Sequence, residues 1–559
     1  MKLTIKLLPL LFCLFAVSCQ ENDNPQQQDT FPEHQDYRIY AVDNSGWDAL
    51  YLYMYGTVNN LGGAWPGIKS AGTVTVKDKT YKYYDVKVSD AYGCSEKLIF
   101  NNGSGSQIKD EPSLSFGEKA DYFFTVTATG AKAFDGGSTY TIVVPSEVTE
   151  ATVYEVAQIS PGERSMPQIY QVNPKLYGSS GAFNKIAARL DDIKALGTDI
   201  LYLMPVYEQG KKNAIGSPYC IKDYNAVNSS YGTLAELKSL IDAAHAKGMK
   251  VMFDWVANHT SWDHAWITEH PDWYAQDSSG KILYPTADGS WTDVALLDYN
   301  SKDLCQAMTA AMLFWVASFD IDGYRCDYAH GPTGSKTGPM DQFWKEAIKV
   351  LREVKPGLIM LAESDYAKMY DDGFDHIFSR ASKSRLINAF GANGGILSFT
   401  NAVKTALGNA PSPCSPLLFI TNHDDATEST PQQDFRSTEG ALAAFLLMRS
   451  LPVATMMYGS QEIGYSSTIN FFNTLNLDWN SNADCMNAYK QGLSDVAKLG
   501  RSGNVTIYSG AKGVVVEYED GGAFAVNLGG SELTLTLPAT LSSAPIKLDP
   551  YGYSLIKVQ

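Results

Sequence analysis

The chain reads as an α/β protein: a parallel (β/α)8 TIM barrel between an amino-terminal β-sandwich and a carboxyl-terminal antiparallel β-domain. Three observations predict this. From Gln168 to Gly459 short apolar runs alternate with amphipathic helical patterns, which is the texture of βαβ units. The runs number eight, namely Gln168–Val172, Asp199–Met204, Lys250–Trp255, Gly323–Asp327, Leu358–Ser364, Asp375–Phe378, Leu417–Asn422 and Val453–Tyr458, the count a closed barrel needs. No glycine-rich phosphate loop follows the first of them, as a doubly wound nucleotide-binding sheet would usually show.

Taken in order, Lys2 and Lys6 precede an apolar run from Leu7 to Val17, the two parts of a secretory signal. The run is too short to span a bilayer. It ends Ala16-Val17-Ser18-Cys19, which resembles a bacterial lipoprotein processing site. That resemblance implies removal of residues 1–18 and lipidation of Cys19; ordinary cleavage near Ser18 is the alternative. Residues 19–36 are polar and read as a flexible linker. Glu21 and Asp23 resemble surface-export signals of some Gram-negative lipoproteins, so the expected location is the outer membrane, facing the cell exterior. A net charge of −17 disfavours nucleic acid, whose phosphates would be repelled. Beyond Cys13 and Cys19 the cysteines (Cys94, Cys220, Cys305, Cys326, Cys414, Cys485) form no CxxC pair. Neither a zinc site nor a dense disulfide framework is indicated.

Residues 37–145 show short alternating runs, such as Tyr37 to Val42, Ala49 to Tyr55, Tyr81 to Val88 and Asp121 to Thr127, broken by Gly, Asn and Asp. This is the pattern of a β-sandwich. Trp47 to Tyr55, Ala64-Trp65-Pro66-Gly67 and Ile99-Phe100-Asn101-Asn102-Gly103 resemble a small starch-binding module family. The resemblance implies that Trp47, Tyr53 and Trp65 hold α-glucan, since a flat ring suits the apolar face of a sugar. An immunoglobulin-like spacer with core aromatics is the competing reading. Residues 142–161 are a linker or a first strand.

In a barrel the chemistry lies at the carboxyl ends of the strands. The third ends Asp254-Trp255-Val256-Ala257-Asn258-His259, the fourth Arg325-Cys326-Asp327, the fifth Ala362-Glu363-Ser364, and the seventh Thr421-Asn422-His423-Asp424. Asp327, Glu363 and Asp424 thus converge on one mouth with two histidines and Arg325. A single strand-end acid is usually a structural cap; three together are not. Arg325 shares a strand face with Asp327 by period-2 geometry, and its charge is expected to keep Asp327 ionised.

These stretches, with Ser217 to Tyr224 before them and Tyr458 to Gly464 after, resemble the α-amylase family, glycoside hydrolase family 13. The resemblance runs through every strand-end motif in order over about three hundred residues, within a catalytic domain expected at 150–500. It implies a retaining glycosidase, whose two working carboxyl groups sit about 5 Å apart. Asp327 is then the nucleophile and Glu363 the general acid, its pKa expected to rise by burial. Asp424 would steady the oxocarbenium-like transition state. His259, His423, Arg325 and Asp254 would bind substrate, and Tyr219 would stack under the cleaved sugar. Residues 259–300 resemble a short form of the family's domain B, closing at Trp291 to Asn300.

Past Asp327 the chain reads Tyr328-Ala329-His330-Gly331, not the Lys-His at the third and fourth positions common in calcium-binding amylases. Calcium is therefore left open, with Asn258 and Asp298 falling where two calcium ligands often occur in that family, and no other cofactor is required. Residues 501–559 return to strands at Val505–Tyr508, Gly513–Tyr518, Ala523–Asn527, Leu533–Leu537 and Tyr553–Val558, resembling the family's terminal β-domain. The expected function is hydrolysis of α-1,4 bonds in starch or maltooligosaccharides. The alternatives are an α-1,6-active or transglycosylating relative, and a surface starch-binding lipoprotein without activity.

Overall fold

The computed structural model describes residues 30–557 apart from 33, 57–60, 62, 88–90, 92–94, 118, 138–139, 141–148, 287, 332–339, 392–394, 502 and 543. The expected signal, Cys19, the start of the linker and Cys94 lie outside the described residues.

Eight parallel strands close a barrel: β1 (Gln168–Val172), β2 (Ile200–Leu203), β3 (Lys250–Val256), β4 (Gly323–Asp327), β5 (Ile359–Ala362), β6 (His376–Phe378), β7 (Ser415–Phe419) and β8 (Ala454–Tyr458). Every residue of β1, β2, β4, β7 and β8 is buried, because one face fills the interior and the other meets helices. That is why these strands read as mainly apolar runs, with buried polar residues such as Gln171 and Arg325 set into them. At the start of β4 the wall is so tight that a Cβ on Gly323 would lie 2.3 Å from the Ile359 carbonyl oxygen. The register of β3 against β4 sets Asp254 beside Arg325.

Acids also mark the amino ends of the strands. Asp199 accepts from Gln168 N at 2.8 Å, Asp322 from Val251 N at 2.8 Å, and Asp375 from Met360 N at 2.7 Å. Each ties one strand to its neighbour at the barrel bottom, where polar groups serve stability.

The helices fall between the strands. Leu234–Ala246 opens on a capping box of Thr233 and Glu236, and Met340–Val354 buries Phe343, Trp344, Ile348 and Leu351. The sequence predicts one helix over Phe183–Leu196; two short ones form instead, Ala182–Ala187 and Leu190–Ala195. The break falls at Arg189, whose side chain turns inward to Tyr177 Oη (3.0 Å) and Glu462 (3.1 Å) and lies over Trp479. A buried cation with those partners outweighs continuity of the helix.

After β3 the short insertion forms a two-stranded sheet, His259–Ser261 against Val294–Leu296, beside the barrel mouth. The carboxyl-terminal part is two sheets with an apolar layer of Val515, Ala525, Leu533 and Leu535 between them. Glu150–Thr152 and Tyr154–Ile159 precede the barrel in sequence but pair with Leu533–Thr536 and Val505–Gly510 of these sheets. Ile546–Leu548 adds a strand that the sequence reading missed.

The amino-terminal part is a sandwich of a five-stranded and a four-stranded sheet. Tyr37, Ile39 and Ala41 of one face Leu52, Met54, Leu98 and Phe100 of the other. Tyr51, Tyr53 and Tyr55 alternate with Leu52 and Met54, so they stand on the outer face, half-buried. Trp65, 46% exposed, meets Tyr53 edge-on at 5.4 Å. Trp47 lines a hollow with Gln107, Lys109 and Glu111, and Glu111 accepts from the hydroxyl of Tyr55, the neighbour of Tyr53 on that face. Among the described residues, Cys220, Cys305, Cys326, Cys414 and Cys485 are unpaired.

Candidate active site

A cavity of about 500 Å³ opens at the carboxyl ends of the strands, with Asp327, Glu363, Asp424, His259, His423 and Tyr219 on its wall. The structure thus brings together the three acids, both histidines and the tyrosine singled out in the sequence. Their elements explain the convergence. Asp327 is the last residue of β4, and Glu363 follows β5, its N–H continuing the ladder to Cys326 O at 3.0 Å. His423 and Asp424 follow β7.

Arg325 and Asp254 are placed differently from the expectation that they touch substrate. Both are fully buried beneath the cavity floor. Arg325 Nη1 donates to Asp254 Oδ1 (2.8 Å) and Asp327 Oδ1 (3.0 Å), and Nη2 lies 3.0 Å from Glu363 Oε2. One guanidinium therefore serves three carboxyl groups. Asp254 is held in turn by the hydroxyls of Tyr202 and Tyr219. Its role is to fix Arg325.

This sharing corrects the expected electrostatics. Burial pushes Asp327 well above the usual carboxylate range; Arg325 opposes this, while Glu363, Asp254 and Asp424 add to it. Arg325 alone does not hold Asp327 ionised, because its charge is divided. Asp424, with half its side chain open, is also raised by the desolvation of the cleft against the pull of Arg325 and Arg380. Groups coupled this closely titrate together.

Both histidines are kept neutral by burial, His259 at about 4 and His423 at about 3. Gln171 Nε2 donates to His423 Nδ1 at 2.8 Å, which leaves the ring proton on Nε2, facing Tyr219 Oη (2.7 Å) and Asp424 (3.3 Å). Tyr219 stacks on His423 (5.3 Å, 21°), and Phe471 stands edge-on to both. Together they make one aromatic wall opposite Glu363.

The sequence reading missed several wall residues. Arg380, second past β6, reaches Glu363 Oε1 at 2.9 Å. The strand-end rule applied to β6 finds it. Phe471 and Phe472 come from a turn-rich stretch with no periodic signal. Tyr328 takes a left-handed backbone (φ 43°) that aims its N–H at Glu363 Oε2, 2.9 Å away.

For the calcium candidates, Asn258 Oδ1 is buried without a partner, whereas Asp298 accepts from Asn300 N and Nδ2 in its own turn. No group of three or more His, Cys, Asp or Glu among the described residues is arranged to hold a metal ion.

The chain is similar to known proteins over this barrel. Residues 173–498 match the model of the alpha amylase catalytic domain. An alpha-amylase 3 of Dictyoglomus thermophilum is 24% identical over 308 residues, covering 51% of this chain and 60% of that one. An α-1,4-glucan:maltose-1-phosphate maltosyltransferase of Rhodospirillum rubrum is 30% identical over 231 residues, 37% of this chain and 32% of that one. The match thus spans about a third to three fifths of these relatives. A crystal structure of an alpha-amylase from Lactobacillus plantarum overlays with a TM-score of 0.59 at 27% identity, covering 70% of this chain and 98% of that one. With a matched catalytic domain over more than half its length, a closed barrel and acids at the mouth, the chain belongs to the alpha-amylase family, whose members cleave or transfer glycosyl groups.

Proposed function

We propose that this protein is a retaining α-glucan hydrolase that cleaves α-1,4 bonds of starch or maltooligosaccharides. The observation that carries this is the placing of Asp327 and Glu363 on two nitrogens of one guanidinium, with Asp424 on the same cavity. That closeness suits a nucleophile and acid pair at about 5 Å better than an inverting pair with room for water between.

In the reaction Asp327 attacks the anomeric carbon while Glu363 gives its proton to the glycosidic oxygen, and that bond breaks. A glycosyl ester forms on Asp327. Water then attacks the same carbon as Glu363 takes back a proton, releasing Asp327. Asp424, with His423 and His259, binds sugar hydroxyls, and Tyr219 supports the ring of the cleaved sugar. Arg325 and Asp254 hold the acids in place from below.

The test is a time course of products and anomers from end-labelled maltoheptaose, with starch and pullulan in parallel. Shortening of linear chains with initial α-anomers supports the reading. Cleavage of pullulan alone overturns the α-1,4 assignment, and inverted products overturn the mechanism. Because one relative is named a maltosyltransferase, elongation products are the second outcome to score.

The sandwich face of Tyr53 and Trp65, with Trp47, is proposed to hold α-glucan. Loss of starch retention in Trp65→Ala supports it, and unchanged retention removes it. A lipid anchor on Cys19 at the cell surface is tested by mass spectrometry of the mature amino terminus. An unlipidated start at residue 20 or later rejects it.

A further inference from the structure

We propose that Arg380 is a positioning residue that sets the proton on the acid Glu363 by sharing its guanidinium between Glu363 and Asp365. This rests on the proposed role of Glu363 as acid.

Arg380 Nη2 donates to Glu363 Oε1 at 2.9 Å and Nη1 donates to Asp365 Oδ2 at 2.8 Å. The other oxygen of Glu363, Oε2, already accepts from Tyr328 N and faces Arg325. An acid that serves a glycosidic oxygen must carry its proton on a free oxygen. Oε2 is occupied by a backbone N–H that cannot leave, so the proton belongs on Oε1. There an Arg380 N–H now points. The Arg380 contact disfavours a proton on that oxygen, and Asp365, already in contact with the same guanidinium, draws it the other way.

The two arginines differ in freedom. Arg325 is fully buried, while the side chains of Arg380 and Asp365 are 43% and 44% exposed. Other charged or titratable groups also face Glu363. Asp327 and Arg325 do so from β4, Tyr202 from β2, and Tyr328 and His330 from the loop past β4. His423 faces it from beyond β7, and Asp365 of its own loop shares Arg380 with it. His330 and His423 are pushed toward their neutral forms by burial. Among the described residues Arg380 is thus the cation at this carboxyl that can move. Burial works against its own charge, but the carboxylates of Glu363 and Asp365 outweigh it.

The experiment is the pH profile of kcat/KM on maltoheptaose for the full chain and three variants. An opposite charge in contact favours the ionised carboxyl, so Arg380→Met is expected to move the alkaline limb up by about one pH unit. Arg380→Lys, which keeps a cation, is expected to restore most of that shift. Asp365→Asn keeps the acceptor for Arg380 N but removes the competing charge, so Arg380 stays on Glu363 and the limb moves down. Opposite signs from Met and Asn are the signature, since a merely structural role would scale the whole profile. Coincident limbs, or shifts of one sign, overturn the proposal. Glu363→Gln separates the two levels. If it is inactive and the limbs do not move, only the role of Arg380 falls. If it keeps full activity, the acid assignment falls and this inference with it.

Discussion

Asp327→Asn is expected to abolish turnover and to stabilise the fold. The carboxyl is nearly buried, and Glu363 and Asp254 share its guanidinium. With all three carboxyl groups ionised and an effective dielectric of about 20, repulsion from two carboxylates at ~5 Å is about 6.5 kcal/mol, against about 4 kcal/mol of attraction to one guanidinium at ~4 Å. Neutralising Asp327 therefore gains about 2.5 kcal/mol, while asparagine keeps an acceptor for Arg325 Nη1. For a domain of this size that is a rise in Tm of about 3–5 °C.

The pH dependence follows from the sign of the shift. Burial and neighbouring acids raise Asp327 in the folded state, so the native protein is least penalised below the ordinary aspartate range and loses stability as pH rises through the raised value. The variant lacks this loss. Its advantage should be absent near pH 4 and grow as pH rises. Calorimetry of both proteins from pH 4 to 8 measures this, with reducing-sugar release from maltoheptaose falling at least about 10⁴-fold. A lower Tm for the variant at neutral pH, or an advantage independent of pH, would refute the charge-sharing argument. Retained activity would refute the nucleophile.

Three further outcomes are expected. Glu363→Gln should lose about 10²–10⁴-fold on maltoheptaose and far less on α-maltosyl fluoride, whose leaving group needs no proton; equal losses on both would count against its role as acid. Lys175 is buried, lowered to about 8 by desolvation, and donates to Gly216 O (2.5 Å) and Phe472 O (2.9 Å), joining two walls of the cavity. Lys175→Met leaves those carbonyls without a donor, so urea denaturation should show a loss of about 1–3 kcal/mol, with KM rising more than kcat falls. Gly323→Ala places a methyl 2.3 Å from Ile359 O and should lower the urea midpoint by about 1–3 kcal/mol equivalent; an unchanged midpoint would mean the strands part more easily than the tight wall implies.

The barrel was legible because its strands are buried on both sides and so read as mainly apolar runs, several of them ended by charge. Asp327, Glu363 and Asp424 were legible for the same reason: each terminates such a run. What lay beyond reach depended on pairing across the chain. Nothing local in Tyr154–Ile159 says that its partner is Val505–Gly510. Nothing local in Asp254 says that it lies under Arg325 rather than in the cavity, since that follows from the β3–β4 register. The break at Arg189 has a similar origin, because Glu462, which draws the side chain inward, sits past β8. Arg380 was hidden in another way. Its meaning appears only when the far oxygen of Glu363 is known to be taken.

The two ends of this barrel show what separates a structural acid from a working one. At the bottom, Asp322 accepts from a backbone N–H and lies 2.9 Å from Lys355, and Asp375 accepts from a backbone N–H and from Arg352 at 2.7 Å. Each is satisfied locally, and Asp322 is lowered, its hydrogen bonds and Lys355 outweighing burial. At the top, Asp254, Asp327, Glu363 and Asp424 gather around Arg325 and Arg380. Carboxyl groups outnumber guanidiniums there, so the cluster is short of positive charge. A proton is the natural way to fill that deficit in a desolvated site. The bottom acids, already satisfied, have no such need, although they stand on the same strands.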